Sequence, residues 1–218
     1  MINNKLKLTV PISGRGSNLK SLIDATRNPE FPASIALVIS NIADAPGLDH
    51  AKNAGIPCMV IDHKNYSGRE KFDEAITDAA ENVGTDLICL AGFMRMLSKP
   101  FVEHWHNRLI NIHPSLLPAF KGLNVHENVI ASGVRFSGCT VHYVRAEMDA
   151  GPIIVQAAVP VGLDDTPSDL AARVLQQEHV IYPLAVKLIA SGAVSVTGDK
   201  VMIENSTKLP DPVIHPLI

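Results

Sequence analysis

The feature that most constrains this chain is the lack of alternation in its apolar runs. LKLTVPI (6–12), ASIALVIS (33–40), PCMVI (57–61), DLICLAG (86–92) and RLINI (108–112) are dominated by apolar residues, most of them without regular polar alternation. Neighbouring side chains of a strand point to opposite faces, so a strand with one wet face alternates polar and apolar residues. Strands that are apolar throughout are buried on both faces, as in a parallel sheet covered by helices on two sides. The stretches between the runs supply those helices. In NLKSLIDATRN (18–28), Leu19, Leu22 and Ile23 fall on one helical face; a short helix fits near 47–54 and a charged one over 69–82.

The second half changes character. SGCTVHYV (137–144) and PIIVQAAVPV (152–161) are separated only by the turn-rich RAEMDAG and are expected to pair antiparallel. A long helix is expected from about Ser168 to Ala190, with start signals in Thr166-Pro167-Ser168 and a stop at Gly192. Pro183 should kink or split it. Pro11 cannot donate a ladder bond in a central first strand, so a bulge is expected there. The fold class is therefore α/β and Rossmann-like: a mostly parallel central sheet, helices on both faces and an antiparallel portion in the C-terminal half. A single domain is expected over 1–205, with a mononucleotide- or phosphate-binding half (1–105) and a second half (106–205) for the remaining chemistry. A proline-rich C-terminal tail (206–218) is expected to be poorly ordered.

The 218 residues suffice for one such domain with a sizeable core. A net charge of -3 is a poor footprint for a nucleic-acid binder, which would carry a basic stripe. Three widely spaced cysteines, Cys58, Cys89 and Cys139, sit among apolar neighbours and read as buried thiols in a reducing compartment. The N-terminus lacks the apolar run and cleavage site of a signal peptide, and no run reaches the roughly 18 apolar residues of a membrane span. A cytoplasmic protein is expected.

SGRGSN (13–18) joins the first strand to the first helix. Gly14 and Gly16 let the backbone turn tightly and come close to a ligand, and the helix N-terminus offers free N–H groups to an anion. Ser17 and Asn18 add side-chain donors; the alternative is a plain tight turn with Ser17 as N-cap. A dinucleotide fingerprint would need glycine where Leu19 stands, and an acidic residue where the second strand ends in Ser40-Asn41. A single phosphate fits better than a pyrophosphate.

NIHPS (111–115) closes the fifth run with an amide and an imidazole two residues apart. In an extended strand Asn111 and His113 project to the same face, and Pro114 biases His113 toward extended geometry. In an open parallel sheet the carboxyl ends of the strands form the ligand crevice. Asp149, in MDAGPI, precedes a Gly-Pro turn that can hold a carboxylate over the sheet; a turn-capping role is the alternative. Beside an imidazole it would favour the imidazolium. Amide, imidazolium and carboxylate together suit a developing oxyanion and a proton transfer. His104-Trp105-His106 lacks a third metal ligand, so no metal is expected. His63, His126, His142 and His179 show no case beyond surface or packing roles.

The runs ISGRGSN, ADAPGL, LAGFMRML, NIHPSLLP, GCTVHYV, MDAGPIIVQ and QEHVIYP occur in this order and resemble the folate-dependent formyltransferase family. As a set they resemble its glycinamide ribonucleotide formyltransferase branch, from residue 8 to about residue 205. The resemblance implies formyl transfer from 10-formyltetrahydrofolate, as co-substrate, to the amine of glycinamide ribonucleotide in purine biosynthesis. It implies Asn111, His113 and Asp149 as the catalytic residues and Gly16, Ser17, Asn18 and Glu178 as ribonucleotide contacts. Arg69, Met94, Arg95, Met96, Leu97 and Asn111 would contact the folate, and the second half would be its catalytic and folate-binding part. Without the resemblance, FMRML reads as a strand-end core segment. Arg15 stands where asparagine is frequent in the family, adding charge near the phosphate, and LPAFKG (117–122) falls on a variable loop, implying a mobile lid.

Three alternatives remain. A formyltetrahydrofolate deformylase shares the catalytic motif but usually carries an additional N-terminal domain, whereas the first strand here starts by about residue 6. Formylation of initiator methionyl-tRNA would need a basic C-terminal domain, for which this chain is too short and too acidic. A non-catalytic nucleotide-binding module would bind without turnover, against which Asn111, His113 and Asp149 speak. Oligomeric state is not legible.

Overall fold

Residue parity dictates the sheet. The computed structural model describes residues 5–204 and 211–215. In chain order the elements are β1 (Leu6–Ile12), α1 (Ser17–Thr26), β2 (Ala33–Ser40), α2 (Gly47–Asn53), β3 (Cys58–Val60), α3 (Arg69–Asn82), β4 (Leu87–Leu90) and α4 (Lys99–His104). They continue with β5 (Leu109–His113), α5 (Val125–Ser132), β6 (Phe136–Tyr143), β7 (Ile153–Pro160), α6 (Pro167–Ala190), β8 (Val194–Thr197) and β9 (Lys200–Ile203). Odd and even positions of one strand enter different cores: Val38, Leu87 and Cys89 face one, and Leu37, Ile39, Ile88 and Leu90 face the other. Residues of α1 and α6 fill the first core, and those of α3 and α4, with the buried Trp105, fill the second.

The seven-stranded sheet has the order β3-β2-β1-β4-β5-β6-β7. It is parallel from β3 to β5 and antiparallel from β5 through β7. Strand order reverses between β1 and β4, which opens a crevice at their carboxyl ends. One sheet thus runs across the expected division at residue 105 without a break.

Several expectations need correction. The irregularity of β1 lies between Leu8 and Thr9, where β2 inserts Ala36, and Pro11 keeps a regular partner in Ile39. Pro11 sits past the last paired residue of β1 against β4, and its carbonyl accepts from Ala91 N at 3.0 Å. α6 runs unbroken through Pro183 for 24 residues, so it is not split. A capping box of Thr166 and Asp169 starts it, and its buried side chains continue on both sides of the proline, outweighing one lost bond. Of the expected tail, 206–210 and 216–218 lie outside the described residues. Over 211–215 the chain is tied to the sheet edge: His215 Nε2 donates to Val161 O at 3.1 Å, and its ring packs edge-on against Phe136. No helix among the described residues is long and apolar enough to cross a membrane.

Candidate active site

The cluster expected to be catalytic grows out of strand register. Parity places Asn111 and His113 on one face of β5, and antiparallel pairing sets His142 opposite Asn111 and Thr140 opposite His113. Directly opposed residues share a face, so four polar side chains converge at the end of the strand. The turn after β6 brings the fifth. Asp149 takes a left-handed backbone (φ 51°), and a side chain on Gly151 would collide with the Tyr143 carbonyl. Tyr143 N in turn bonds to Pro152 O at 2.9 Å, which folds MDAGPI back over β5 and β6.

The result is a compact, largely dry set of donors and acceptors. His113, 5% exposed, faces Asp149 Oδ2 with Nδ1 at 3.5 Å and donates from Nε2 to the Phe120 carbonyl at 3.0 Å. Both ring nitrogens of His113 therefore face acceptors. His142 donates from Nδ1 to Tyr143 O at 2.9 Å, and burial lowers its pKa below the ordinary imidazole value. The Tyr143 bond and the Asp149 charge oppose that shift. The Nε2 of the neutral ring is then an acceptor, which Asn111 Nδ2 approaches at 3.5 Å, with Asp149 Oδ1 4.0 Å away. Thus His142, expected only to pack, touches two of the three expected catalytic residues.

The segment expected to be a mobile lid is tied down over His113. Leu117 N donates to Thr140 Oγ1 at 3.1 Å, Ser115 Oγ to Ala119 O at 2.6 Å, and Gly122 N to Asp149 Oδ2 at 3.0 Å.

The expected phosphate end is built from backbone. Gly16, at φ 72°, caps α1, and Ser17 is the first helical residue, not the cap. A Cβ on Gly16 would lie 2.6 Å from Gly47 Cα, and Gly47 N donates to Gly14 O at 2.9 Å. The glycine of ADAPGL and the second glycine of SGRGSN are thus two halves of one contact. The first turn of α1 contains no acidic residue of its own, which leaves its free N–H groups available to an anion. Asn18 is not a free donor: its Nδ2 donates to Glu178 Oε2 at 2.7 Å, while its Oδ1 is buried without a partner. Burial pushes the Glu178 carboxyl above the usual carboxylate value, against Asn18 and the nearby His113, which both lower it. Residues 160 positions apart are so joined beside the imidazole.

A third wall comes from the end of β4. Met94 N donates to Ser13 Oγ at 2.8 Å, fastening the FMRML segment to the phosphate loop. Met94 and Met96 are 72% and 55% exposed, whereas Phe93 and Leu97 are half-buried against the second core, so the middle of this segment faces outward and its two ends do not. Buried Asp73 accepts from Ser98 N at 2.6 Å. Desolvation raises the Asp73 pKa, and the bonds from Ser98 and the charges of Arg69 and Arg95 counter it. Arg69 and Arg95 thus act on one buried carboxylate.

Residues 6–186 match the family described as formyl transferase. The chain belongs to the formyl transferase family. This formyl transferase is 45% identical over 186 residues to phosphoribosylglycinamide formyltransferase of Haemophilus influenzae, an alignment covering 85% of this chain and 88% of that protein. It is 54% identical over 193 residues, 88% of its length, to the trifunctional purine biosynthetic protein adenosine-3 of Gallus gallus. That match covers 19% of the longer protein, so the chain spans about a fifth of such relatives. Glycinamide ribonucleotide transformylase 1 from Symbiobacterium toebii superposes with a TM-score of 0.90 at 44% identity, over 93% of this chain and 95% of that one.

Elsewhere in this formyl transferase, His104 bonds Glu81 at 2.8 Å on the surface, and its neighbour Trp105 is fully buried. Among the described residues no group of three or more His, Cys, Asp or Glu side chains could hold a metal. Cys89 and Cys139 are buried and Cys58 half-buried; burial pushes the Cys139 thiol up to about 12.

Proposed function

We propose that this formyl transferase moves the formyl group of 10-formyltetrahydrofolate to the primary amine of glycinamide ribonucleotide. The products are formylglycinamide ribonucleotide and tetrahydrofolate, in purine biosynthesis. The carrying observation is the convergence of Asn111, His113 and Asp149 at the crevice, with His113 Nδ1 3.5 Å from Asp149. The names of relatives covered over most of their length support the choice of substrates.

In this reading the amine attacks the formyl carbon and the carbonyl oxygen becomes an oxyanion. Asn111 donates from its amide, which His142 orients from the far side. His113, as imidazolium, stabilises the same oxyanion and supplies a proton, while Asp149 holds its Nδ1 side. Collapse expels the folate nitrogen, and the proton lost by the attacking amine leaves through water near Asp149. For His113 Nε2 to reach a substrate oxygen the Phe120 carbonyl has to swing away, so the 117–122 segment acts as a lid. Gly16, Ser17 and Asn18 hold the ribonucleotide phosphate end with Glu178 beside them. Arg69, Met94, Arg95, Met96 and Leu97 hold the folate, with Asn111 at its reacting end.

We read residues 1–205 as one cytoplasmic transferase domain in which both substrates draw on both halves of the chain. Glu178 comes from the second half and Arg69 from the first. The test is folate product release, followed by absorbance, with and without glycinamide ribonucleotide. Release only with the amine is the expected result. Equal release without it would move the assignment to a hydrolase, and no release in either case to a binding module.

A further inference from the structure

Ser13 stands where β1 and β4 part. The two strands pair at Leu8–Leu87 and Thr9–Ile88, and Ala91 N still bonds to Pro11 O at 3.0 Å. Past that point β1 leads into the loop before α1, and β4 into residues 92–97. Ser13 spans the gap with two bonds: its N donates to Gly92 O at 3.2 Å, and its Oγ accepts from Met94 N at 2.8 Å. Its hydroxyl proton goes to Asn41 Oδ1 at 2.6 Å, which leaves a lone pair for Met94. Asn41 is itself held, with Nδ2 3.3 Å from His63 Nδ1. Ser13 and Asn41 are 7% and 3% exposed, so water competes little for these bonds and leaving one unmade is costly.

Between the two bonds Phe93 stacks on Phe72 at 6.3 Å, which roots the segment in the second core. Its far end is tied at Ser98 N to Asp73 Oδ2 at 2.6 Å. Residues 94–97 are thus slung between two side chains, and one of them, Ser13, directly precedes the Gly14–Asn18 loop. We propose that Ser13 is a positioning residue common to both substrate sites: through it, an anion in the 14–18 loop strengthens folate binding along 94–97. The folate must then strengthen anion binding by the same factor, because such coupling is reciprocal. The physical basis is shared ordering. Each ligand fixes one arm of the Ser13 bridge, so the second to bind has less left to order, and neither has to touch Ser13 or the other. The proposal rests on the phosphate and folate readings of the crevice.

The test uses two ligands that cannot react with each other: tetrahydrofolate, which carries no formyl group, and inorganic phosphate, which fills the loop alone. Calorimetry gives the Kd of tetrahydrofolate with and without saturating phosphate, at one ionic strength set with chloride. For wild type, phosphate is expected to lower that Kd by about fivefold, the value of one intramolecular hydrogen bond. Ser13→Ala should remove this dependence, and should raise KM for the formyl folate more than it lowers kcat. Asn41→Ala leaves Ser13 in place without its acceptor; it should weaken the dependence, and it tests the same bridge where Ser13→Ala does not fold. A wild-type Kd that ignores bound phosphate overturns the proposal and leaves the folate reading standing. So does a Ser13→Ala variant that keeps the wild-type ratio, even at a lowered Tm. Failure of phosphate or of tetrahydrofolate to bind wild type at all overturns the corresponding reading of the crevice, and the proposal with it.

Discussion

At the end of β1 the crevice is made of backbone, and at the end of β5 it is made of side chains. The proposed phosphate end relies on two glycines in mutual contact and a helix terminus. A Cβ on either glycine would strike the other's backbone, and Glu178 presses on this end from the far side. The proposed catalytic end packs Asn111, His113, His142 and Asp149 within hydrogen-bond or ion-pair reach, and places Phe120, Asn124 and Asp149 in left-handed conformations. A binding cradle tolerates no added volume but needs no proton chemistry. A catalytic cluster is specified by register and protonation, and its backbone bends to suit. Substitutions at the two ends should therefore fail in different kinetic constants.

The largest effect is expected at the catalytic end. His113→Ala removes the proton donor and one oxyanion partner together, so kcat should fall by about 10⁴-fold, the upper range for general acid–base groups. Binding of ribonucleotide, followed by calorimetry, should persist; wild-type-like turnover would sink the assignment. Asn111→Ala should cost about 10²–10³ in kcat, as for loss of one oxyanion donor. A change below about tenfold would mean that its amide does not meet the oxyanion. Gly16→Ala sharpens the contrast. Its φ of 72° and the 2.6 Å approach of Gly47 Cα should cost about 2 kcal/mol or more, read as a lower Tm, and should raise the ribonucleotide KM with kcat spared.

These contrasts also explain what the sequence made legible. The inner parallel strands were readable because double-sided burial writes itself into apolar runs, although the edge strand β3, from an equally apolar run, leaves Met59 and Val60 each 44% exposed; the shared face of Asn111 and His113 follows from strand parity alone. The nearness of Asp149 to His113 was not readable, since it depends on the path of a turn 36 residues downstream. His142 was missed for a related reason: only the Asn111–His142 register gives it a place, and registers are a property of two segments at once. α4 and α5, of six and eight residues, are too short for apolar periodicity to show, and the four-residue strands of the β8–β9 hairpin are half exposed. The bulge was misplaced because proline marks where a donor is lacking, whereas the extra residue, Ala36, is an ordinary alanine on the neighbouring strand.

Asp149→Asn is a gentler probe of the catalytic end. Asparagine tolerates the left-handed backbone at this position, so the turn should survive while the charge is lost. With no anion beside the imidazolium, the limb of the pH–rate profile that needs the protonated ring should move to lower pH. An unchanged profile would make Asp149 a structural turn residue.

The smallest effect, and the one that joins the two ends, concerns Glu178. Its folded carboxyl pKa lies above the ordinary value because burial disfavours the anion, while Asn18 Oδ1 lacks a donor. The folded state therefore holds this proton to higher pH than the unfolded chain does. The stability from this group is full below the unfolded carboxyl pKa and is lost as pH rises through the raised folded value. Glu178→Gln removes the charge, keeps an oxygen for Asn18 Nδ2 and adds a donor for its unpartnered oxygen. The variant should melt above wild type at about pH 8 and approach it by about pH 4. The ribonucleotide KM should rise by about tenfold, the value of one charge-assisted hydrogen bond. A variant no more stable at either pH would mean that water already satisfies the Asn18–Glu178 pair. A variant both more stable and unchanged in KM would remove Glu178 from the binding end and leave it as a buried strut between α1 and α6.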